Sequence, residues 1–131
     1  MSVETLLEPI PTKILPPRPS EFLSSWFADV PADQIIELRA LHVSDSRVHQ
    51  EFFTMNAPGE LLGRAFSLVE THNCYFGVCP RNRPEGNKAA VTIAPGLWAD
   101  LDFKRFEDGE AGALRQLADF PLSPTWIIAT G

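Results

Sequence analysis

The sequence predicts an α+β fold, a two-layer sandwich in which helices pack on one face of a mixed or antiparallel β-sheet. Several short segments alternate apolar and polar residues with the period of two that a half-buried strand requires. Two other segments repeat apolar residues at spacings of three and four, which is typical of an amphipathic helix. The chain has 131 residues, 44% of them hydrophobic and 21% charged, so it suits one compact domain.

The N-terminal 19 residues predict an extended, proline-rich arm. Five of the 12 prolines fall in this stretch. Because proline has no backbone N–H to donate, they disfavour both an α-helix and a hydrogen-bonded β-strand. We expect the domain to span residues 20–131. Ser20 is the predicted N-cap of a short helix that carries Phe22, Leu23, Trp26 and Phe27.

The next segments predict a β-hairpin followed by a helix. In residues 34–42, apolar and charged side chains alternate, so that Leu38 and its apolar neighbours share one face while Glu37 and Arg39 share the other. A Ser-Asp-Ser turn separates this strand from a returning strand over residues 47–55. Pro58 then opens a helix with apolar residues at helical spacing.

The C-terminal half predicts three more strands and one helix. Strands are expected over residues 73–79, 96–104 and 125–130, and Asp108 is the predicted cap of the helix before the last strand. The order of elements is then β-β-α-β-β-α-β. Because both helices pack on the same face, the other face of the sheet is expected to be open, and function is expected there.

Charge and composition exclude several classes of protein. The formal net charge is −6, which excludes a protein that coats nucleic acid through bulk positive charge, although a local basic patch is still compatible with it. No window contains 18 uninterrupted apolar residues, so no membrane span is predicted. The N-terminal residues lack the pattern of a signal peptide, and two cysteines cannot form a disulfide framework. The predicted location is the cytoplasm.

The most informative segment is GLWADLDFK, residues 96–104. As a strand it would place Asp100 and Asp102 on one face, with Cα atoms about 6.6–6.8 Å apart. Two carboxylates held so close repel each other, and a divalent cation relieves that repulsion. The segment therefore predicts Mg²⁺ or Mn²⁺ ligands for phosphoryl or nucleotidyl transfer. The alternative is a solvated strand face on which both acids simply contact water.

A second candidate is the loop over residues 80–88, in which Arg81, Arg83 and Lys88 outnumber a single acid and Gly86 permits close backbone approach. Such a loop could lie over the open face and hold a triphosphate or a template backbone, or it is an ordinary charged surface loop. On the preceding strand, Tyr75 or Phe76 could stack on a base, but only one of them can point to the open face, and core packing is predicted for Phe76. The spacing of the cysteines does not fit a zinc knuckle.

Together, these residues resemble a known family. The run THNCYFGVCPR (71–81), the basic loop and GLWADLDF (96–103) are similar to bifunctional DNA primase/polymerases of the archaeo-eukaryotic primase superfamily, found in phages, plasmids and prophage-like replication modules. The resemblance covers residues 34–131 and implies an RNA-recognition-type catalytic core.

The resemblance implies a role for each candidate residue. Asp100 and Asp102 match the family's Asp-hydrophobic-Asp metal motif, with Mg²⁺ or Mn²⁺ as cofactor, while Arg81, Arg83 and Lys88 match no defined family motif and are assigned only secondary phosphate contacts. The implied partners are single-stranded DNA, nucleoside triphosphates and a replicative helicase. The family's nucleotide-contacting histidine and third carboxylate have no counterpart in the chain, so we expect the N-terminal portion of a catalytic domain, inactive by itself. A non-catalytic nucleic-acid- or partner-binding module and a metal-dependent nuclease are the alternatives.

Overall fold

The structure is a computed structural model that describes residues 18–128. Most of the predicted arm and the last three residues of the chain lie outside the described residues. The chain divides into two compact units, one formed by Arg18–Leu97 and another to which residues 98–128 belong.

The first unit contains two helices and a three-stranded antiparallel sheet. Helix α1 spans Pro19–Trp26 and α2 spans Pro58–Leu68. Strands β1, β2 and β3 span Ile35–His42, Val48–Thr54 and His72–Phe76. The strand order is β2-β1-β3, and both neighbours of β1 run antiparallel to it. The predicted α+β class, hairpin and third strand are therefore confirmed.

Helix α1 begins one residue earlier than predicted. Pro19 occupies the first helical turn, where its missing N–H costs nothing, and Arg18 is at the N-cap position without a side-chain cap bond. Ser20 therefore lies inside the helix, and its assignment as the N-cap was wrong. Pro19 belongs to α1 and not to the arm.

The core lies between β1 and the two helices. Ile36, Leu38 and Ala40 are almost completely buried on the helix-covered face, as the alternation of β1 predicts. Leu38 pairs in register with Phe76 of β3, which packs against the core as predicted. The rings of Phe22 and Phe27 meet Phe76 edge-to-face at centroid distances of 5.8 and 6.1 Å.

The second unit contains one helix and one 3₁₀ turn among its described residues. The 3₁₀ turn spans Phe103–Arg105, and helix α3 spans Gly109–Asp119 and buries Ala113. Asp108 is at the N-cap position as predicted, but its carboxylate pairs with Arg115 and does not cap the backbone. The helices of residues 18–128 are too short and too polar to cross a membrane.

The predicted strands four and five are not formed in the described residues. Residues 96–102 have no regular structure before the 3₁₀ turn, and residues 125–128 are likewise irregular, while 129 and 130 lie outside the described residues. A strand is stable only when a neighbour completes its ladder, and neither segment has such a neighbour within residues 18–128. The predicted β-β-α-β-β-α-β order therefore holds only as far as the third strand.

Candidate functional site

The acidic pair, Asp100 and Asp102, lies in an extended loop and not in a strand. The sequence prediction that strand geometry places both side chains on one face was therefore wrong. Asp102 explains the difference, because its Oδ1 accepts a hydrogen bond from the backbone N–H of Lys104 at 3.1 Å. Aspartate commonly binds the backbone two residues ahead in this way, and the bond starts the 3₁₀ turn in place of a strand.

Both carboxylates of the acidic pair are exposed. Asp100 makes no hydrogen bond or ion pair with any residue between 18 and 128. The Oδ2 of Asp102 lies 3.9 Å from the Nε of Arg105, at the outer limit of an ion pair, and the Asp102 side chain is 52% exposed. Among the described residues, no group of three or more His, Cys, Asp or Glu side chains is arranged to hold a metal ion. The acidic pair thus supplies two accessible carboxylates.

The three basic candidates lie in the first unit and differ in their availability. The guanidinium of Arg81 donates to Glu37 and its side chain is only 13% exposed. Arg83 pairs with Glu85 at 2.9 Å, and its side chain is 42% exposed. Lys88 begins the 3₁₀ turn Lys88–Ala90, and its ammonium makes no ion pair within the described part of the chain. Arg83 and Lys88 are therefore accessible to a phosphate, whereas Arg81 is occupied within the protein.

A polar cluster around a buried glutamate, which we call the Glu37 cluster (Glu37, Arg39, Gln50 and Arg81), was not predicted from the sequence. Glu37 is 2% exposed although it lies on the sheet face away from the helices. Its Oε1 accepts from Arg39 Nε at 2.9 Å and from Gln50 Nε2 at 2.7 Å. Its Oε2 accepts from Arg81 Nη2 at 2.7 Å and Nε at 3.2 Å. Each carboxylate oxygen thus has two donors, as a buried charge requires.

The basic loop covers this part of the open face. Arg81 pairs through its backbone with Ile35 of β1, and Gly86 lies directly over the Glu37 cluster. A Cβ at Gly86 would lie 2.2 Å from Gln50 Nε2 and 3.0 Å from Arg39 Nη2. The glycine that the sequence predicts to approach a ligand therefore approaches the protein's own buried carboxylate.

Hydrogen bonds decide the charge of Glu37. Burial by itself raises the pKa of the Glu37 carboxyl. The hydrogen bonds from Arg81, Gln50 and Arg39, with the charge of Arg39, outweigh burial and hold that pKa below its ordinary range. Glu37 is consequently ionised at neutral pH. The only sequence signal for this cluster is a glutamate in an otherwise apolar strand, two residues from an arginine.

The rest of the open face carries an exposed aromatic residue. Tyr75 alternates along β3 with Cys74 and Phe76, which pack toward the helices, and it is 55% exposed. It pairs in register with Arg39, which in turn pairs with Gln50 of β2. A row of aromatic, cationic and amide side chains therefore crosses the three strands beside the Glu37 cluster.

The two cysteines are free thiols. Burial raises the pKa of the Cys74 thiol, so it is a weak nucleophile at neutral pH.

Comparison of the chain with protein-family models, with curated proteins and with solved structures found no match.

Proposed function

We propose that this chain supplies the metal-binding acidic pair of a primase/polymerase-type nucleotidyltransferase, which joins nucleotides on a single-stranded DNA template. The observation that carries the proposal is the Asp-Leu-Asp sequence within GLWADLDF, with both carboxylates exposed. The resemblance of residues 71–103 to this family supports it. The α+β fold of Arg18–Leu97, with both helices on one sheet face, is compatible with it.

The donor set of the acidic pair fits a hard divalent cation. Asp100 keeps both carboxylate oxygens free of protein partners among residues 18–128, and Asp102 is oriented by the backbone N–H of Lys104. Mg²⁺ is usually held by one or two carboxylates together with waters and substrate phosphates, so two aspartates are a sufficient contribution from the protein. A bound Mg²⁺ or Mn²⁺ would lower the pKa of the attacking hydroxyl and neutralise charge on the phosphate.

The exposed cations of the basic loop have a supporting role in this proposal. Arg83 and Lys88 present charged donors to solvent and would bind triphosphate or template phosphates. Arg81 would act indirectly, because its bond to Glu37 fixes the start of the loop. Replacing Arg83 or Lys88 should weaken binding and its dependence on salt, and replacing Arg81 should lower stability instead.

Primer extension tests the proposal. Because the chain is expected to be inactive by itself, the assay uses a complete catalytic domain that contains it. This domain is incubated with a primed single-stranded template, nucleoside triphosphates and Mg²⁺ or Mn²⁺, and its Asp100→Asn variant is compared with the wild type. We expect at least about a 100-fold loss of extension, since an amide cannot replace an anionic metal ligand. Asp119→Asn is the matched control, because Asp119 is another exposed aspartate of the same unit. Extension by Asp100→Asn equal to that by Asp119→Asn would refute the assignment.

A second candidate function is single-strand nucleic-acid binding without chemistry, and the exposure of Tyr75 beside Arg39 favours it. An aromatic side chain on an open sheet face offers a stacking surface worth about 1–3 kcal/mol per base. This function predicts salt-sensitive binding that needs no metal, is unchanged in Asp100→Asn and is lost in Tyr75→Ala. Binding that requires Mg²⁺ would exclude it.

A further inference from the structure

All three histidines of the chain line a single cavity. This histidine cavity has a volume of about 410 Å³ and lies in the first unit. It is independent of the acidic pair and of the basic loop, so the inference does not rest on the proposed function. The residues that line it are His42, Arg47, Val48, His49, Arg64, Leu68 and His72.

The register of the sheet brings the histidines together. His42 and His72 are direct partners across β1 and β3, and their rings meet at right angles with centroids 5.0 Å apart. His49 of β2 is the register partner of Ala40, so it lies on the same helix-covered face. Arg64 and Leu68, one turn apart on α2, complete the wall. The face that is apolar around Leu38 therefore becomes polar toward the hairpin turn, with basic side chains from the three strands and from α2.

Two carboxylates hold the basic groups in place. Glu51 Oε1 lies 2.7 Å from both His49 Nε2 and Arg64 Nε. Asp45 lies 2.7 Å from Arg47 Nε and 3.4 Å from His42 Nδ1. When the imidazoles are neutral, the two carboxylates (Asp45 and Glu51) balance the charge of the two guanidinium groups (Arg47 and Arg64). Protonation of the histidines would then add up to three positive charges to the cavity.

The acids stay charged over a wide pH range. A hydrogen bond from His49 is the main cause that lowers the pKa of Glu51, and the backbone N–H of Arg47 is the main cause for Asp45. Both carboxylates therefore keep orienting their partners when the imidazoles become protonated.

Two imidazole nitrogens are available to a ligand. The Nδ1 of His42 accepts a hydrogen bond from the backbone N–H of Ser44 at 3.3 Å and contacts Ser44 Oγ at 2.8 Å, so the proton of the neutral ring is on Nε2. The Nδ1 of His72 is bonded to Thr71 Oγ1 at 2.8 Å. Within residues 18–128, the Nε2 of neither ring has a hydrogen-bond partner. When protonated, each Nε2–H is a charged donor of the kind that phosphate oxygens accept.

We propose that the histidine cavity binds the phosphate group of a small phosphate ester and that binding is accompanied by proton uptake on the histidines. The two arginines and the protonated imidazoles bind the dianion through charge-assisted hydrogen bonds. Leu68 provides an apolar contact for the organic part of the ester.

Titration calorimetry with sulfate tests the charge and proton linkage. Sulfate stays a dianion at both about pH 5.5 and about pH 8, so a change in its affinity reports the protonation of the protein. We expect at least about tenfold tighter binding at the lower pH, and the heat measured in buffers of different ionisation enthalpy should reveal proton uptake. Affinity that does not change with pH would overturn the proposal.

Variants locate the site. Arg64→Gln and His72→Gln should each weaken sulfate binding at the lower pH by about tenfold or more, because each removes a charged donor. Arg115→Gln is the matched control, since Arg115 is also paired with a carboxylate but lies outside the cavity. Thermal unfolding without sulfate establishes that each variant is folded. Equal loss of binding in Arg115→Gln, or no loss in Arg64→Gln and His72→Gln, would contradict the location.

A comparison of ligands identifies the source of the anion. Phenyl phosphate should bind more tightly than inorganic phosphate, because its ring would contact Leu68. Leu68→Ser should remove that difference while leaving the affinity for inorganic phosphate within about twofold. If inorganic phosphate binds as tightly as phenyl phosphate, the ligand is the free ion and the assignment of an ester is wrong.

Discussion

Replacing Arg81 with alanine should destabilise the first unit strongly, because it leaves a buried carboxylate short of donors. Arg81 gives Glu37 two hydrogen bonds, at 2.7 and 3.2 Å, and the two side chains are 13% and 2% exposed. Removing one partner of a buried ion pair costs about 3–5 kcal/mol. Arg39 and Gln50 still donate hydrogen bonds to the other oxygen of Glu37. We therefore expect the free energy of unfolding to fall by about 3 kcal/mol, at the lower end of that range.

Urea unfolding followed by circular dichroism measures this loss. Against a stability of about 5–15 kcal/mol, which is ordinary for a domain, 3 kcal/mol is a large fraction. Arg83→Ala is the matched control in the same loop. Its ion pair with Glu85 joins two side chains that are 42% and 48% exposed, so its loss should cost less than about 1 kcal/mol.

The same variant has a defined pH dependence. The folded-state pKa of Glu37 lies below its ordinary value of about 4.5, so its contribution to stability is present above that value and is lost as the pH falls through the folded-state pKa. The cost of Arg81→Ala should therefore shrink in acid. A cost below about 0.5 kcal/mol at neutral pH, or one that is the same in acid, would refute the reasoning.

Three further predictions follow from the geometry. Gly86→Ala should lower the free energy of unfolding in urea by about 1–3 kcal/mol, because the added Cβ would displace Gln50. Gly63→Ala, at an open position of α2, should instead raise it by about 0.5–1 kcal/mol. Equal effects of the two substitutions would contradict the close approach at Gly86. The acidic pair should bind Mn²⁺ with a Kd of about 1 mM, and tight saturable binding in calorimetry would disagree. In a Cys79→Ser variant at pH 7, burial and a raised pKa should make alkylation of Cys74 at least about tenfold slower in the folded protein than in denaturant; equal rates would exclude such protection.

The elements of the first unit could be predicted because their local patterns agree with their tertiary partners. The alternation around Leu38 matches a strand with one buried face, and the apolar spacing after Pro58 matches a helix lying on that face. The predicted strand at residues 96–104 has an equally clear alternation. It fails because Asp102 binds the backbone of Lys104 and no neighbouring strand offers a ladder within residues 18–128.

Some candidate sites could be predicted from the sequence and others could not. The acidic pair and the basic residues could be predicted, because their members lie close together in the chain. The Glu37 cluster and the histidine cavity join residues that are far apart in the chain, such as Glu37 with Arg81 and His42 with His72. Only the pairing of β1 with its two neighbours places them together.

What the sequence by itself determined is the set of local preferences: which stretches alternate, which repeat at helical spacing, and which carry paired acids or clustered bases. The tertiary structure decided which charges are buried and which are free, because that depends on the register of β1 and on the loop that closes over Gly86. Arg81 and Lys88 look alike in the sequence, yet one neutralises a buried carboxylate and the other remains in solvent. The physical reason is that the energy of a charge depends on its surroundings, and distant segments of the chain provide those surroundings.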